Sequence, residues 1–301
     1  MKNVSASVKD RLLHMARQNG KPFQALLIQY GLERFLYRLS QSPYKERFIL
    51  KGGFLLVGMG IPQSRTTKDI DFLGLMNGDL DDVSRAMRQI GELSFDDGLV
   101  YEFNNLNIEV MSELSDYPAL RLKFTACLGK ARMPVQIDVG FGDAVIPTAI
   151  EMNFPTLLDM EPPVVRAYSA ETIVAEKFEA SLDLATLNSR MKDFYDIWML
   201  SRTYCFQGLS LQEAITATCH RRKTALSSKA EIFTKEFANL VEKQTQWAAF
   251  LRKSHFSNIS EDFSVIIEGI RVFLHPVINA TEQKARFDNS WPPGGPWQEA
   301  L

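Results

Sequence analysis

The chain has 301 residues, 46% of them hydrophobic, with 34 basic and 36 acidic side chains and a formal net charge of −2. That balance fits a folded globular protein of one large or two ordinary domains, and it excludes a disordered chain or a polybasic coat for nucleic acid. Cys127, Cys205 and Cys219 form no C-x-x-C pair, and with only four histidines neither a zinc site nor a disulfide framework is expected.

The first twenty residues lack the apolar core of a secretion signal. Residues 6–19 and 22–41 read as helices; in the second, Leu27, Tyr30, Phe35, Leu36 and Leu39 fall near helical spacing, and "SPYKER" ends it. The run "FILKGGFLLVGMGI" is the most apolar, but it is short for a membrane span and carries Lys51. The expected location is therefore the cytoplasm, with no membrane partner. "KDIDFLGL" reads as a strand, and "LDDVSRAMRQIGEL" as a helix with Val83, Met87, Ile90 and Leu93 inward.

From 99 to 141 the chain reads as strands. In "ALRLKFTACL", Leu120, Leu122, Phe124 and Ala126 alternate onto one face. "NFPTLLDMEPPVVRAY", with three prolines, reads as a connector between halves. Beyond Ser169 the pattern is helical almost to 275, and the tail "NSWPPGGPWQEAL" reads as loosely ordered. The expected organisation is N-terminal helices over 1–45, a core with a mixed sheet over 46–155, a helical domain over 166–280 and a flexible tail over 281–301. No internal repeat is visible.

The chemistry concentrates on acids. On a strand, Asp69 and Asp71 project to one face while Ile70 and Phe72 pack on the other. Two parallel carboxylates repel unless a cation sits between them, and magnesium takes one or two carboxylates and completes its shell with phosphate and water. Asp138, in the apolar stretch "VQIDVGFGD", supplies a third acid on a later strand, as metal-assisted phosphoryl transfer requires. Gly52 and Gly53 permit close backbone approach to a phosphate, and Arg65 offers a fork of donors to a triphosphate. A D-x-D pair is equally compatible with a solvated strand end.

In the helix predicted over 170–187, Lys177 falls within the apolar stripe of Ile173, Val174, Phe178, Leu182 and Ala185. Facing inward it needs an anionic partner or ligand; at the stripe's edge it would snorkel to water. In "SRMKDFYDIWML", Asp193 and Asp196 lie on a helix that is apolar nearly all round, which points to partners such as Lys177, Arg190, Lys192 or a ligand. Structural ion pairing explains the same pattern.

Together these residues resemble the AbiEii/AbiGii-type nucleotidyltransferase toxins, a family that includes the MenT toxins. The likeness runs through "ERFLYRLSQSPYKERFILKGG", "RTTKDIDFLG", "VQIDVGFGDAVIP" and "YSAETIVAEKFEASLDLATLNSRMKDFYDIW". It implies an α+β fold: a polymerase-beta-type nucleotidyltransferase core with a C-terminal helical domain. Gly52 and Gly53 match the first motif's turn, and Asp69 and Asp71 its metal-binding acids. Lys177 matches the second motif's lysine, thought to contact nucleotide phosphates. Arg190, Lys192, Asp193 and Asp196 match the third, R-x-K-D-x-x-D. Arg65, Thr67 and Asp196 are expected on the nucleotide side, and Asp138 fits the third acid of the wider superfamily, on which not all members of the toxin group depend. Fifteen residues separate Gly53 from Asp69, longer than the turn of the broader superfamily.

The resemblance implies a magnesium-dependent transfer of NMP from an NTP to an RNA acceptor, first of all the tRNA 3′ end. The setting would be a bacterial toxin–antitoxin or phage-defence system with a cognate antitoxin encoded nearby. Alternatives are transfer to a protein or small-molecule hydroxyl, or a non-catalytic NTP-binding module. The basic stretch "HRRKTALSSK" at 220–229 fits either an RNA-facing patch or a solvated helix end. The site is expected as a cleft between the two halves, with Asp69 and Asp71 on its floor, Lys177 reaching the triphosphate, and Asp193 orienting Lys177 or the acceptor.

Overall fold

The computed structural model describes residues 4–61, 67–76, 78–111, 119–254, 256 and 259–299. The chain divides into two compact units. The first is built from the described residues of Met1–Gly60, Arg65–Gly142 and Ile150–Ala167, and the second from those of Ile61–Ser64, Asp143–Ala149 and Tyr168–Leu301.

In chain order the first unit contains α1 (Val4–Asn19), α2 (Phe23–Ser40), β1 (Phe48–Lys51), α3 (Gly52–Gly58), β2 (Asp69–Gly74), α4 (Leu80–Gly91), β3 (Leu99–Val110), β4 (Ala119–Leu128), β5 (Ala131–Phe141), β6 (Ile150–Asn153) and β7 (Val164–Ala167). Its seven strands form one mixed sheet in the order β3-β4-β5-β2-β1-β7-β6. β2 runs parallel to β5 and antiparallel to β1.

Alternation decides which face is dry. Ile70, Phe72, Leu122, Phe124, Ile137 and Val139 are all buried, and the register lines them up across β4, β5 and β2. α2 covers this face: Phe35 lies 5.7 Å from the Phe124 ring, and Tyr101 donates its hydroxyl to Gly31 O at 2.6 Å. The charged residues of the same strands therefore stand on the opposite face.

α2 also carries charge into the interior, where Arg38 grips Asp97 with Nη1 at 2.6 Å and Nη2 at 3.1 Å, and Arg34 Nε adds a third bond at 3.2 Å. Glu33 is fully buried, accepts the Leu157 N–H at 2.7 Å through Oε2, and among the described residues has no partner for Oε1. Burial pushes its carboxyl up from 4.5 to about 7, against the Leu157 N–H and Arg34, which lower it. A carboxyl raised in the folded state stabilises it fully below the ordinary value and loses that contribution as pH rises through the folded one. Glu33→Gln keeps an acceptor for Leu157 and removes the titration. Between pH 5 and 8 its stability should gain on the wild type by up to about 3 kcal/mol, measured by urea unfolding at each pH. Parallel stability curves for the two proteins would show that Glu33 does not titrate in this range.

Two expectations are corrected here. Residues 153–168 are not a plain connector: β6 and β7 pair antiparallel at the sheet edge, and β7 runs parallel to β1. The three prolines lie in the loop between these strands, where no ladder N–H is needed, while β-branched Val164 and Val165 suit the strand that follows.

The second unit contains α5 (Ala170–Leu184), α6 (Met191–Thr203), β8 (Phe206–Gln207), α7 (Gly208–Arg222), α8 (Lys235–Ala238), α9 (Val241–Ser254), α10 (Phe263–Glu282) and β9 (Ser290–Trp291). α5 packs on α6 and α7, and α10 on α6 and α7. Phe194, Phe237, Trp247 and Phe263 form its aromatic centre, with Trp247 Nε1 donating to Ser260 O. α10 continues past Pro276 because Val277 and Ile278 are buried on its inner face. It is the one described helix long and apolar enough to cross a membrane, and half of that window is buried inside the protein.

The tail is the second correction. β9 pairs with β8, Trp291 Nε1 donates to Ser201 O at 2.6 Å, and Trp297 Nε1 donates to Phe273 O at 2.8 Å. The Trp297 ring stacks on Phe273, so two indoles with satisfied N–H groups anchor a segment whose prolines and glycines suggested disorder.

Candidate active site

Asp69 and Asp71 stand half-buried on the charged face of β2, as the alternation requires. Register then builds a row across four strands: Arg121 on β4 faces Asp138 on β5, Asp138 faces Asp71, and Asp71 faces Lys51 at the end of β1. One step along, Lys123 faces Gln136, and Gln136 faces Asp69. Thr67 is buried and donates its hydroxyl to Asp69 Oδ1 at 2.5 Å, so this residue clamps one of the acids. Arg65 lies outside the described residues.

Gly52 follows β1 immediately, with φ at +68°. A Cβ there would lie 1.9 Å from Asp71 Oδ2 and 2.5 Å from its Cγ, so the carboxylate occupies the space a side chain would take. The glycine is required twice, for its backbone conformation and for the seat of Asp71. Gly53 is buried at the next position. Gly52→Ala should strain the turn by about 1–2 kcal/mol and push Asp71 aside. Thermal melting reads the first effect and divalent-cation binding the second; an alanine variant that binds cations like the wild type would refute the seating role.

Asp138 is committed elsewhere. Arg121 donates Nε to Oδ1 at 2.9 Å and Nη2 to Oδ2 at 2.7 Å, and Gln136 Nε2 lies 3.3 Å from both oxygens. Among the described residues no group of three or more Asp, Glu, His or Cys side chains encloses a metal. Asp69 and Asp71 nonetheless fit a hard cation such as magnesium. Their donors are carboxylate oxygens, one of them lies in a cradle that a Cβ would fill, and such an ion needs only one or two protein carboxylates beside phosphate and water.

The second cluster is on α5 and α6. Ser169 caps α5 by accepting the Thr172 N–H, which fixes the helix start two turns before Lys177. Lys177 Nζ meets Asp193 Oδ1 and Asp196 Oδ2, each at 2.8 Å, with side-chain exposures of 12%, 7% and 3%. The inward lysine thus has two anionic partners. Burial alone would lower Lys177, but the two carboxylates override it and hold the ammonium well above its usual range. Burial likewise opposes the charge on Asp193, and the Lys177 ammonium, with Lys192 and Arg190 behind it, keeps the carboxyl below the ordinary value. Arg190 and Lys192 are exposed, so the R-x-K-D-x-x-D motif splits into two outward cations and two inward acids.

Two buried arrangements in this unit escaped the sequence reading. Lys243, fully buried, donates Nζ to Thr186 O at 2.7 Å and Asn188 O at 2.8 Å and so ties down the loop between α5 and α6. Arg222, the last residue of α7, is not available to RNA: it binds Asp143 at 2.9 Å, Glu176 at 3.2 Å and Glu179 at 2.8 Å. The exposed side chains His220, Arg221, Lys284 and Arg286 instead line an open groove of about 760 Å³ with Gln212 and Thr216.

A family model for the AbiEii nucleotidyl transferase toxins of type IV toxin–antitoxin systems matches residues 34–268. The chain is similar to the crystal structure of JHP933 from Helicobacter pylori, at 13% identity and a TM-score of 0.47, covering 87% of this chain and 96% of that one. It is also similar to a candidate nucleotidyltransferase from H. pylori, at 14% identity and a TM-score of 0.45, covering 87% and 98%. No curated protein matches the sequence.

Proposed function

Because the chain belongs to the AbiEii nucleotidyl transferase toxin family, we propose that this transferase moves NMP from an NTP to an RNA hydroxyl, first of all at the tRNA 3′ end, with magnesium. The observation that carries the reading is the Asp69–Asp71 pair on one sheet face, with Gly52 leaving the room that the Asp71 carboxylate fills. The proposed frame is a polymerase-beta-type core followed by a helical domain, acting in the cytoplasm beside a cognate antitoxin encoded nearby.

In the reaction the acceptor hydroxyl gives its proton to solvent as its oxygen bonds to the α-phosphorus, the α–β phosphoanhydride bond breaks, and pyrophosphate leaves with the electron pair. Bound magnesium supplies charge neutralisation at the phosphate oxygens. Asp69 and Asp71 would hold that ion, and Thr67 fixes the rotamer of Asp69. Lys177 serves the nucleotide as a point charge whose direction Asp193 and Asp196 set. The groove carrying Arg221, Lys284 and Arg286 offers positive charge to RNA phosphates.

Incubation with each α-³²P-labelled NTP, magnesium and total tRNA should label RNA, and Asp69→Asn should abolish the label. Label on the protein alone would remove the RNA acceptor. No label from any NTP, while a control enzyme works, would remove the transferase reading.

A further inference from the structure

The charged row across the sheet assigns Asp138 and Arg121 a joint task. Both oxygens of Asp138 already accept from Arg121, and Gln136 approaches both as well. A carboxylate so occupied, and neutralised by a bidentate guanidinium, is a poor candidate for a cation's shell. Asp69 and Asp71 differ: neither faces an arginine across the ladder, since Asp69 lies opposite Gln136 and Asp71 between Asp138 and Lys51.

Arg121 itself has donors to spare. Asp138 takes Nε and Nη2; among the described residues nothing accepts from Nη1. The side chain is 31% exposed, which leaves a face open to a ligand. It shares the charged face with Asp69 and Asp71, and Asp69 is among the acids whose field it feels, after Asp138 and Glu109. A phosphate chain brought to that face presents non-bridging oxygens, the acceptors a planar fork of N–H groups matches.

Resting on the function proposed above, we propose that Arg121 is a phosphate-contacting residue for the NTP, and that Asp138 is its positioning residue rather than a metal ligand. Asp138 fixes one edge of the guanidinium and so aims the other. The contact also places a permanent positive charge near the pyrophosphate as it takes the electron pair from the broken anhydride bond.

Two binding measurements separate these roles. Mn²⁺ binding without nucleotide, followed by electron paramagnetic resonance, should be lost in Asp71→Asn and unchanged in Asp138→Asn and Arg121→Met. Binding of ATP, CTP, GTP and UTP, each titrated calorimetrically with Mn²⁺ present, should show the best-bound nucleotide weakened about 10- to 100-fold by Arg121→Met. Asp138→Asn should weaken it less, and Arg121→Lys, which keeps the charge without the fork, should fall between wild type and Arg121→Met. Should Arg121→Met fail to fold, an unchanged affinity in Arg121→Lys overturns the contact. Loss of Mn²⁺ binding in Asp138→Asn, or wild-type nucleotide affinity in Arg121→Met, overturns the inference while leaving the transferase reading in place. A wild type that binds none of the four nucleotides removes both at once, a different and recognisable result.

Discussion

Arg222→Met will destabilise the second unit by about 3–5 kcal/mol, the usual cost of breaking a buried ion pair from one side. In the native protein one guanidinium serves Asp143, Glu176 and Glu179, whose side chains are 8%, 17% and 4% exposed. Methionine keeps much of the volume but leaves three largely buried carboxylates without that cation. Arg222→Lys restores the charge but not the fork, whose Nη2 meets Asp143 and Glu176 while Nη1 meets Glu179, so it should recover only part of the loss. Thermal melting should show a drop on the order of 10 °C for the methionine variant. A methionine variant within about 1 kcal/mol of wild type would mean the triad adds nothing net. It follows that a charge-reversal test of the groove proposed for RNA belongs on Arg221, Lys284 and Arg286, since reversal at Arg222 would report unfolding.

Where an element's own period decides its place, the sequence was enough. The alternation in "DIDF" put two carboxylates on one face of a strand, and "ALRLKFTACL" put its leucines on the other face of the same sheet. The same alternation implies that Arg121 and Lys123 share the face of Asp69 and Asp71, but only once the order β4-β5-β2 is known. That order is set by non-local pairing, to which a single chain gives no local clue. So the fork on Asp138 was illegible, although each of its residues was visible. Arg222 and Lys243 failed for a related reason. Long basic side chains read as solvated unless their distant partners are known, and Asp143 and Thr186 are 79 and 57 residues away. The tail misled because proline and glycine report the loss of regular structure and not the loss of order; Trp291 and Trp297 supply the anchoring that the composition hides.

Asp193→Asn will fold, retain NTP binding and lose transfer. The magnitudes decide how the variant should be read. Replacing Lys177 with methionine would strand two buried acids and cost about 3–5 kcal/mol, which confounds any assay of chemistry. Asp193→Asn is milder: the amide keeps the shape and one acceptor for Lys177 Nζ, and Asp196 still lies 2.8 Å from the ammonium. The expected loss of stability is about 1–2 kcal/mol at neutral pH. Its pH dependence has a definite sign. The Asp193 carboxyl is held below its ordinary value of 3.8, so its contribution is present above that value and vanishes as pH falls through the depressed one. Wild type and variant should therefore converge in strong acid. Transfer should fall at least about 100-fold with the NTP dissociation constant little changed, the pattern of an interaction made only in the transition state. If Asp193 merely braces α6 against α5, the opposite split appears: the melting temperature falls while transfer per folded molecule stays intact. That result, or an unfolded variant, would return the Lys177–Asp193–Asp196 cluster to an ion pair that holds two helices together.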